Sequence, residues 1–137
     1  MGATAADDVT VSATEAFAGK KQIGLYFGAQ WCSPCRKFTP KLVKAYKNNN
    51  AKKNDFEIVY CSYDKKRSIC KSYFEDNLEG NGYVLPYENK KFVRGLLDSF
   101  GGWGIPDFII LDAEGGIVTT HGRCYVSMGL RYPYGRL

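Results

Sequence analysis

A chain of 137 residues, 45% hydrophobic and 15% aromatic, can bury a core without covalent staples. Its five cysteines are odd in number and irregular in spacing, unlike the even framework of a small secreted protein, so a reducing compartment is expected, cytoplasmic or nuclear. The net charge of +5 is scattered over Lys41, Lys44, Lys52, Lys65, Lys90 and others, and no apolar run nears the ~20 residues of a membrane span; neither nucleic acid nor membrane is an expected partner.

The stretch from Met1 to Asp8 carries two aspartates and no basic cluster, which argues against a targeting presequence. Ile23 to Ala29 is apolar without alternation, the pattern of a strand covered on both faces. It runs directly into Trp31-Cys32-Ser33-Pro34-Cys35-Arg36, where Ser33 suits a helix cap and Pro34 the first helical position. Phe38, Leu42, Ala45 and Tyr46 then recur at helical spacing, opposite Lys37, Lys41, Lys44 and Asn48. Pro40 should bend this helix rather than end it, and Asn48 to Asn50 should mark its close.

Phe56 to Ser62 reads as the next strand, and Arg67 to Leu78 as a helix before the turn at Glu79 to Gly82. A further helix spans Lys90 to Phe100, followed by the break Gly101-Gly102-Trp103-Gly104. Asp107 to Asp112 and Ile117 to Thr120 form a closing hairpin turned at Gly115-Gly116. The order predicts one α/β domain over residues 1–137, with a parallel unit joined by a right-handed crossover and a central mixed sheet flanked by helices. Gly129, Pro133 and Gly135 interrupt any long terminal helix, so the tail from about residue 124 should be irregular.

Two cysteines separated by two residues, at a strand-to-helix junction, are equipped for thiol–disulfide exchange. Unpaired amides of the first helical turn and the positive end of its dipole favour a thiolate at Cys32. If its pKa falls from ~8.5 to ~7, the thiolate fraction at neutral pH rises about sixteenfold while intrinsic nucleophilicity falls about fivefold, a net gain in attack of about threefold. Cys32, ahead of the helix, is then the attacking sulfur and Cys35 the resolving one, with Trp31 as a flat apolar roof and Arg36 adding positive charge. A zinc site would need about four ligands. His121 is the sole histidine, and Cys61, Cys70 and Cys124 stand at no metal spacing; those three read as inert side chains, and no metal is expected.

Taken together with Gly104-Ile105-Pro106 before a strand, the cysteine pair resembles the thioredoxin superfamily, and the fold this implies is thioredoxin-like. The resemblance implies a cis Pro106 facing the dithiol and assigns Ile105 and Pro106 to substrate docking. Tyr26-Phe27, Trp31-Cys32 to Arg36, Phe38-Thr39-Pro40 and Ile105-Pro106 are similar to tryparedoxins and nucleoredoxins over roughly Val9 to Val126. From that likeness Arg123, in Thr119-Thr120-His121-Gly122-Arg123, inherits a place in thiol-substrate binding, as do Ser33 and Pro34 beside the attacking cysteine.

Three positions stand out, the first, Tyr26, shared with tryparedoxins and the other two departures from their pattern. Tyr26 occupies the position of the buried aspartate of ordinary thioredoxins, so proton transfer at Cys35 must use another group or water. Lys65, in Ser62-Tyr63-Asp64-Lys65, replaces a glutamate that the family associates with cationic trypanothione. Ser33 replaces a proline, and its hydroxyl is expected to compete with Cys32 for the helix amides. The resemblance implies a monomeric reductase of protein or low-molecular-weight disulfides that needs no cofactor. It would draw electrons from an external dithiol (trypanothione, glutathione) or a reductase, and peroxiredoxins are among the implied recipients. The nucleoredoxin likeness implies an alternative: a redox-sensitive binding protein with little turnover.

Overall fold

The computed structural model describes residues 2–4, 10–102 and 104–135. In chain order its elements are β1 (Gly2–Thr4), β2 (Thr10–Ser12), α1 (Ala13–Phe17), β3 (Gln22–Gly28), α2 (Ser33–Asn50), β4 (Phe56–Ser62) and α3 (Arg67–Ser72). A π-helical turn, Tyr73–Asn77, extends α3; then come β5 (Tyr83–Val84), a 3-10 turn at Tyr87–Asn89, α4 (Lys90–Ser99), β6 (Asp107–Asp112), β7 (Ile117–Thr119) and α5 (Gly122–Ser127). The strands form one mixed sheet in the order β2-β1-β5-β4-β3-β6-β7. β3 runs parallel to β4, and β6 pairs antiparallel with β7, as the order of apolar runs predicts; the structure adds that β6 lies antiparallel along the other edge of β3.

The central strand β3 is buried along its whole length because helices cover both faces of the sheet. One face gathers Tyr26, Phe38, Leu42, Ile58, Tyr60, Phe74, Phe108 and Val126 between the sheet and α2, α3 and α5. The other packs Ile23, Leu25, Phe27, Val59 and Ile109 against Val93 and Leu97 of α4 and Phe17 of α1. Register sets Tyr26 opposite Tyr60 on one side and Phe108 on the other, and Val84 beyond Tyr60, so three aromatic side chains and Val84 line up in a row within this core. Gly24 and Gly28 flank Tyr26 on the same face of β3. A Cβ on Gly24 would collide with the Phe108 ring, and one on Gly28 would lie 2.8 Å from the Tyr26 ring. Both glycines are required by close approach, not by backbone freedom.

Helix α2 passes through Pro40 to Asn50, as the apolar pattern requires. Its cap differs from expectation: Cys32, not Ser33, is the N-cap, and its sulfur takes the Cys35 amide. Ser33 is already helical and stands exposed in the first turn, so it is not the cap competing with Cys32. Five elements carried no advance signal: β1, β2, α1, β5 and α5, the last a helix that runs to Ser127 where the sequence predicts an irregular tail from about residue 124. Trp103, in the predicted break, lies outside the described residues. The tail is irregular past α5, yet Tyr134 is buried. Gln22 donates to the Tyr134 carbonyl at 2.8 Å and accepts its amide at 3.0 Å, while Phe56, Tyr132 and Tyr134 form an aromatic cluster. This clamps the tail over the end of the sheet remote from the cysteine pair.

Candidate active site

The site forms where the carboxyl ends of the parallel strands β3 and β4 meet the start of β6, the customary place for a functional crevice in such sheets. β3 delivers Ala29 to Cys32, β4 delivers Tyr63 and Asp64, and the segment before β6 delivers Ile105 and Pro106. Cys32 and Cys35 are joined as a disulfide, with Cα atoms 5.2 Å apart. With Ala29 they form a small apolar cluster, flanked by Tyr63 and Ile105. The Ile105–Pro106 peptide bond is cis, and Pro106 is buried.

The two sulfurs are not equivalent. Cys35 has no exposed surface, whereas Cys32 keeps 6%. The backbone N–H of Cys35 points at Cys32 Sγ over 3.2 Å, the donor geometry that would hold a thiolate once the disulfide is reduced. Cys61 and Cys70 are free and buried, and burial pushes the Cys70 thiol up to about 11 and the Cys61 thiol higher still, so neither ionises near neutrality. Cys124 is free and exposed on α5.

Beneath Cys35 lies a hydroxyl hub. Thr39 Oγ1 donates to the Cys35 carbonyl at 2.9 Å and shares hydrogen bonds of 2.7 Å with both Tyr26 and Tyr73. The Tyr26 hydroxyl also reaches the Cys35 carbonyl at 3.3 Å. Burial raises the Tyr26 phenol far above its ordinary range, so the residue that replaces the aspartate braces the helix and does not take a proton from Cys35. Asp64 braces the other side. Its carboxylate accepts the Gln30 amide at 2.7 Å, and the Tyr60 and Ser62 hydroxyls at 2.6 Å each, tying the loop that carries Trp31 to the end of β4.

Around this frame stand the other predicted residues. Trp31 is 51% exposed, and its indole N–H donates to the Tyr63 carbonyl at 3.2 Å. The Lys65 ammonium lies 5.9 Å from the Trp31 ring centroid, and the Arg94 guanidinium 5.2 Å from that of Tyr63. Arg36 donates to the Gln30 carbonyl. Ser33 and Pro34 are exposed in the first turn of α2. Arg123 is exposed at the start of α5, where its charge is felt by Asp107, the residue after Pro106; burial nonetheless raises that carboxyl above its usual range. The reading of the sequence missed Arg94, Asp64 and the Thr39–Tyr73 pair. A serine and an aspartate directly after the apolar run of β4 could have flagged Asp64, but nothing local marks Arg94, which arrives from α4.

A mixed sheet of this order, with a two-residue-spaced cysteine pair capping a helix, defines the thioredoxin-like class, and the family description "Thioredoxin-like" matches residues 19–117. The chain belongs to that family, and with its Cys32–Cys35 pair it is a thioredoxin-family redox protein. Its relatives include nucleoredoxin of Mus musculus, 36% identical over 76% of this chain and 23% of that protein. Tryparedoxin of Trypanosoma brucei brucei is 36% identical over 77% of this chain and 72% of that protein. The structure of tryparedoxin I from Crithidia fasciculata superposes with a TM-score of 0.85 at 31% identity, covering 99% of this chain and 92% of that one. The chain spans about a quarter of the length of the nucleoredoxins it matches.

Proposed function

We propose that the protein is a dithiol reductase of protein or low-molecular-weight disulfides, acting as a single domain and a monomer in the cytoplasm. In the reduced state the Cys32 thiolate attacks one sulfur of a substrate disulfide and releases the other as a thiolate. Cys35 then loses its proton and attacks Cys32 Sγ, expelling the second substrate thiolate and closing the Cys32–Cys35 disulfide. Two electrons pass to the substrate, and an external dithiol or reductase restores them; trypanothione, glutathione and a flavoprotein are candidate donors, and peroxiredoxins candidate recipients. Trp31, Ser33, Pro34, Arg36, Ile105, Pro106 and Arg123 form the proposed docking surface.

The observation that carries this reading is the asymmetry of the pair: Cys32 keeps a small exposed surface and its sulfur accepts a helix amide, while Cys35 is sealed. Reduction of insulin disulfides driven by dithiothreitol tests it. Brisk turnover that disappears in Cys32→Ser supports catalysis. The 36% identity to nucleoredoxin favours a second reading, in which the pair gates attachment to a partner. Negligible turnover, with capture of a partner only by the oxidised protein, would select it.

A further inference from the structure

Resting on the disulfide-exchange reading, we propose that the site selects disulfides bearing carboxylates next to the sulfurs. Three cations ring the pair, and each is held by something other than an acid. Lys65 lies over Trp31, Arg94 over Tyr63, and Arg36 is hydrogen-bonded to the Gln30 carbonyl. The Trp31 indole N–H bonds the Tyr63 backbone carbonyl, Trp31 directly precedes Cys32 in the chain, and Tyr63 packs against the cysteine cluster, so the two residues that carry these cations border the pair. An aromatic face positions a cation without neutralising it and leaves its outward side for a ligand. The ion pairs among the described residues are Lys20–Glu57, Lys47–Glu79 and Arg67–Glu88; none includes the three rim cations.

Nearby acids offset the rim only in part. Asp64 is buried, with one carboxylate oxygen taken by the Gln30 amide and the other by two hydroxyls. Asp107 is partly buried and feels the charges of Arg123 and His121. Asp98 is the exposed acid whose charge reaches Tyr63, where Arg94 opposes it. With Asp98 set against Arg94, the exposed charge left at the rim is that of Lys65 and Arg36, and it is positive. One exposed charge pair at ~6 Å in a water-like dielectric changes an encounter by about threefold. Replacing a cation by an anion at one position turns a gain of about threefold into a loss of about threefold for one substrate and does the reverse for its oppositely charged counterpart, so the preference between the two changes by up to about a hundredfold at low salt.

The test uses the reduced full-length chain and three small disulfides: glutathione disulfide (anionic), 2-hydroxyethyl disulfide (neutral) and cystamine (cationic). Each rate of Cys32–Cys35 oxidation is divided by that of dithiothreitol with the same disulfide, which removes intrinsic reactivity. The normalised rate should be about threefold or more higher for glutathione disulfide than for the neutral probe, and lower for cystamine. The spread should shrink at 0.5 M salt, where screening reaches to about 4 Å, and at low salt Lys65→Glu should shift the glutathione-to-cystamine ratio towards cystamine by more than about tenfold, up to about a hundredfold. Equal normalised rates, or a ratio that neither salt nor Lys65→Glu moves, would overturn the selectivity while leaving disulfide exchange intact. Reaction with none of the probes would overturn both.

Discussion

Replacing Thr39 by valine tests whether the hydroxyl hub under Cys35 is an integral support. Valine keeps the shape of threonine, so no cavity opens, and the change removes hydrogen bonds alone. The Cys35 carbonyl keeps the Tyr26 hydroxyl at 3.3 Å, but Tyr73 loses its 2.7 Å partner within the core. Losing the Thr39 bonds and stranding a buried hydroxyl should together cost about 2–3 kcal/mol. Tyr73→Phe alone removes one bond and should cost about 1 kcal/mol. The double variant Thr39→Val/Tyr73→Phe should be more stable than Thr39→Val by about 1 kcal/mol, because the stranded group is gone. Urea unfolding of all four proteins, held in the disulfide state, gives the cycle. Additivity within about 0.5 kcal/mol, or a Thr39→Val protein as stable as the parent, would refute the hub.

Other consequences can be measured on the same material. Burial raises the Glu57 carboxyl above its ordinary range despite Lys20, Tyr46 and the Ile58 amide, so the folded state binds its proton more tightly than the unfolded state. Stability should fall as pH rises from the unfolded carboxylate range through the folded pKa, and Glu57→Gln should gain stability over the parent above that window and lose the advantage below it; pH-dependent urea midpoints check this, and parallel curves would contradict it. Asp64→Ala removes the acceptor of the Gln30 amide together with that of the Tyr60 and Ser62 hydroxyls, which should cost about 3 kcal/mol or more and speed exchange of that amide about tenfold or more, read by hydrogen-exchange NMR; unchanged exchange would count against the brace. Gly24→Ala places a methyl in the Phe108 ring and should destabilise by about 1–3 kcal/mol, whereas a neutral outcome would show that the ring has room to move.

How far the sequence foretold this arrangement follows from the range of the forces involved. The strands Phe56–Ser62 and Asp107–Asp112 were legible because burial on both faces leaves an apolar centre, Ile58–Cys61 in one and Phe108–Leu111 in the other. Helix α2 was legible through Pro40 because its apolar spacing continues. The cap was misassigned since serine is the commoner capping residue, and only the backbone shows that Ser33 is already inside the helix while Cys32 Sγ receives the amide. β5, two residues long, offers no period to read, and its place is set by β4 on one side and β1 on the other. Tyr134 is buried through contacts with Gln22 that span 112 positions, and Arg94 meets Tyr63 from a separate helix. Such pairings are products of the fold, with no local pattern to announce them.

The account depends on Cys32 being an activated anion in the reduced protein, sustained by the amide that caps α2. Site-resolved alkylation with iodoacetamide across pH, quantified by mass spectrometry so that exposed Cys124 is counted separately, measures this directly. Cys32 should react with a midpoint near ~7 and ahead of Cys35. A midpoint near the ~8.5 of a free thiol, or equal labelling of Cys32 and Cys35, would contradict it.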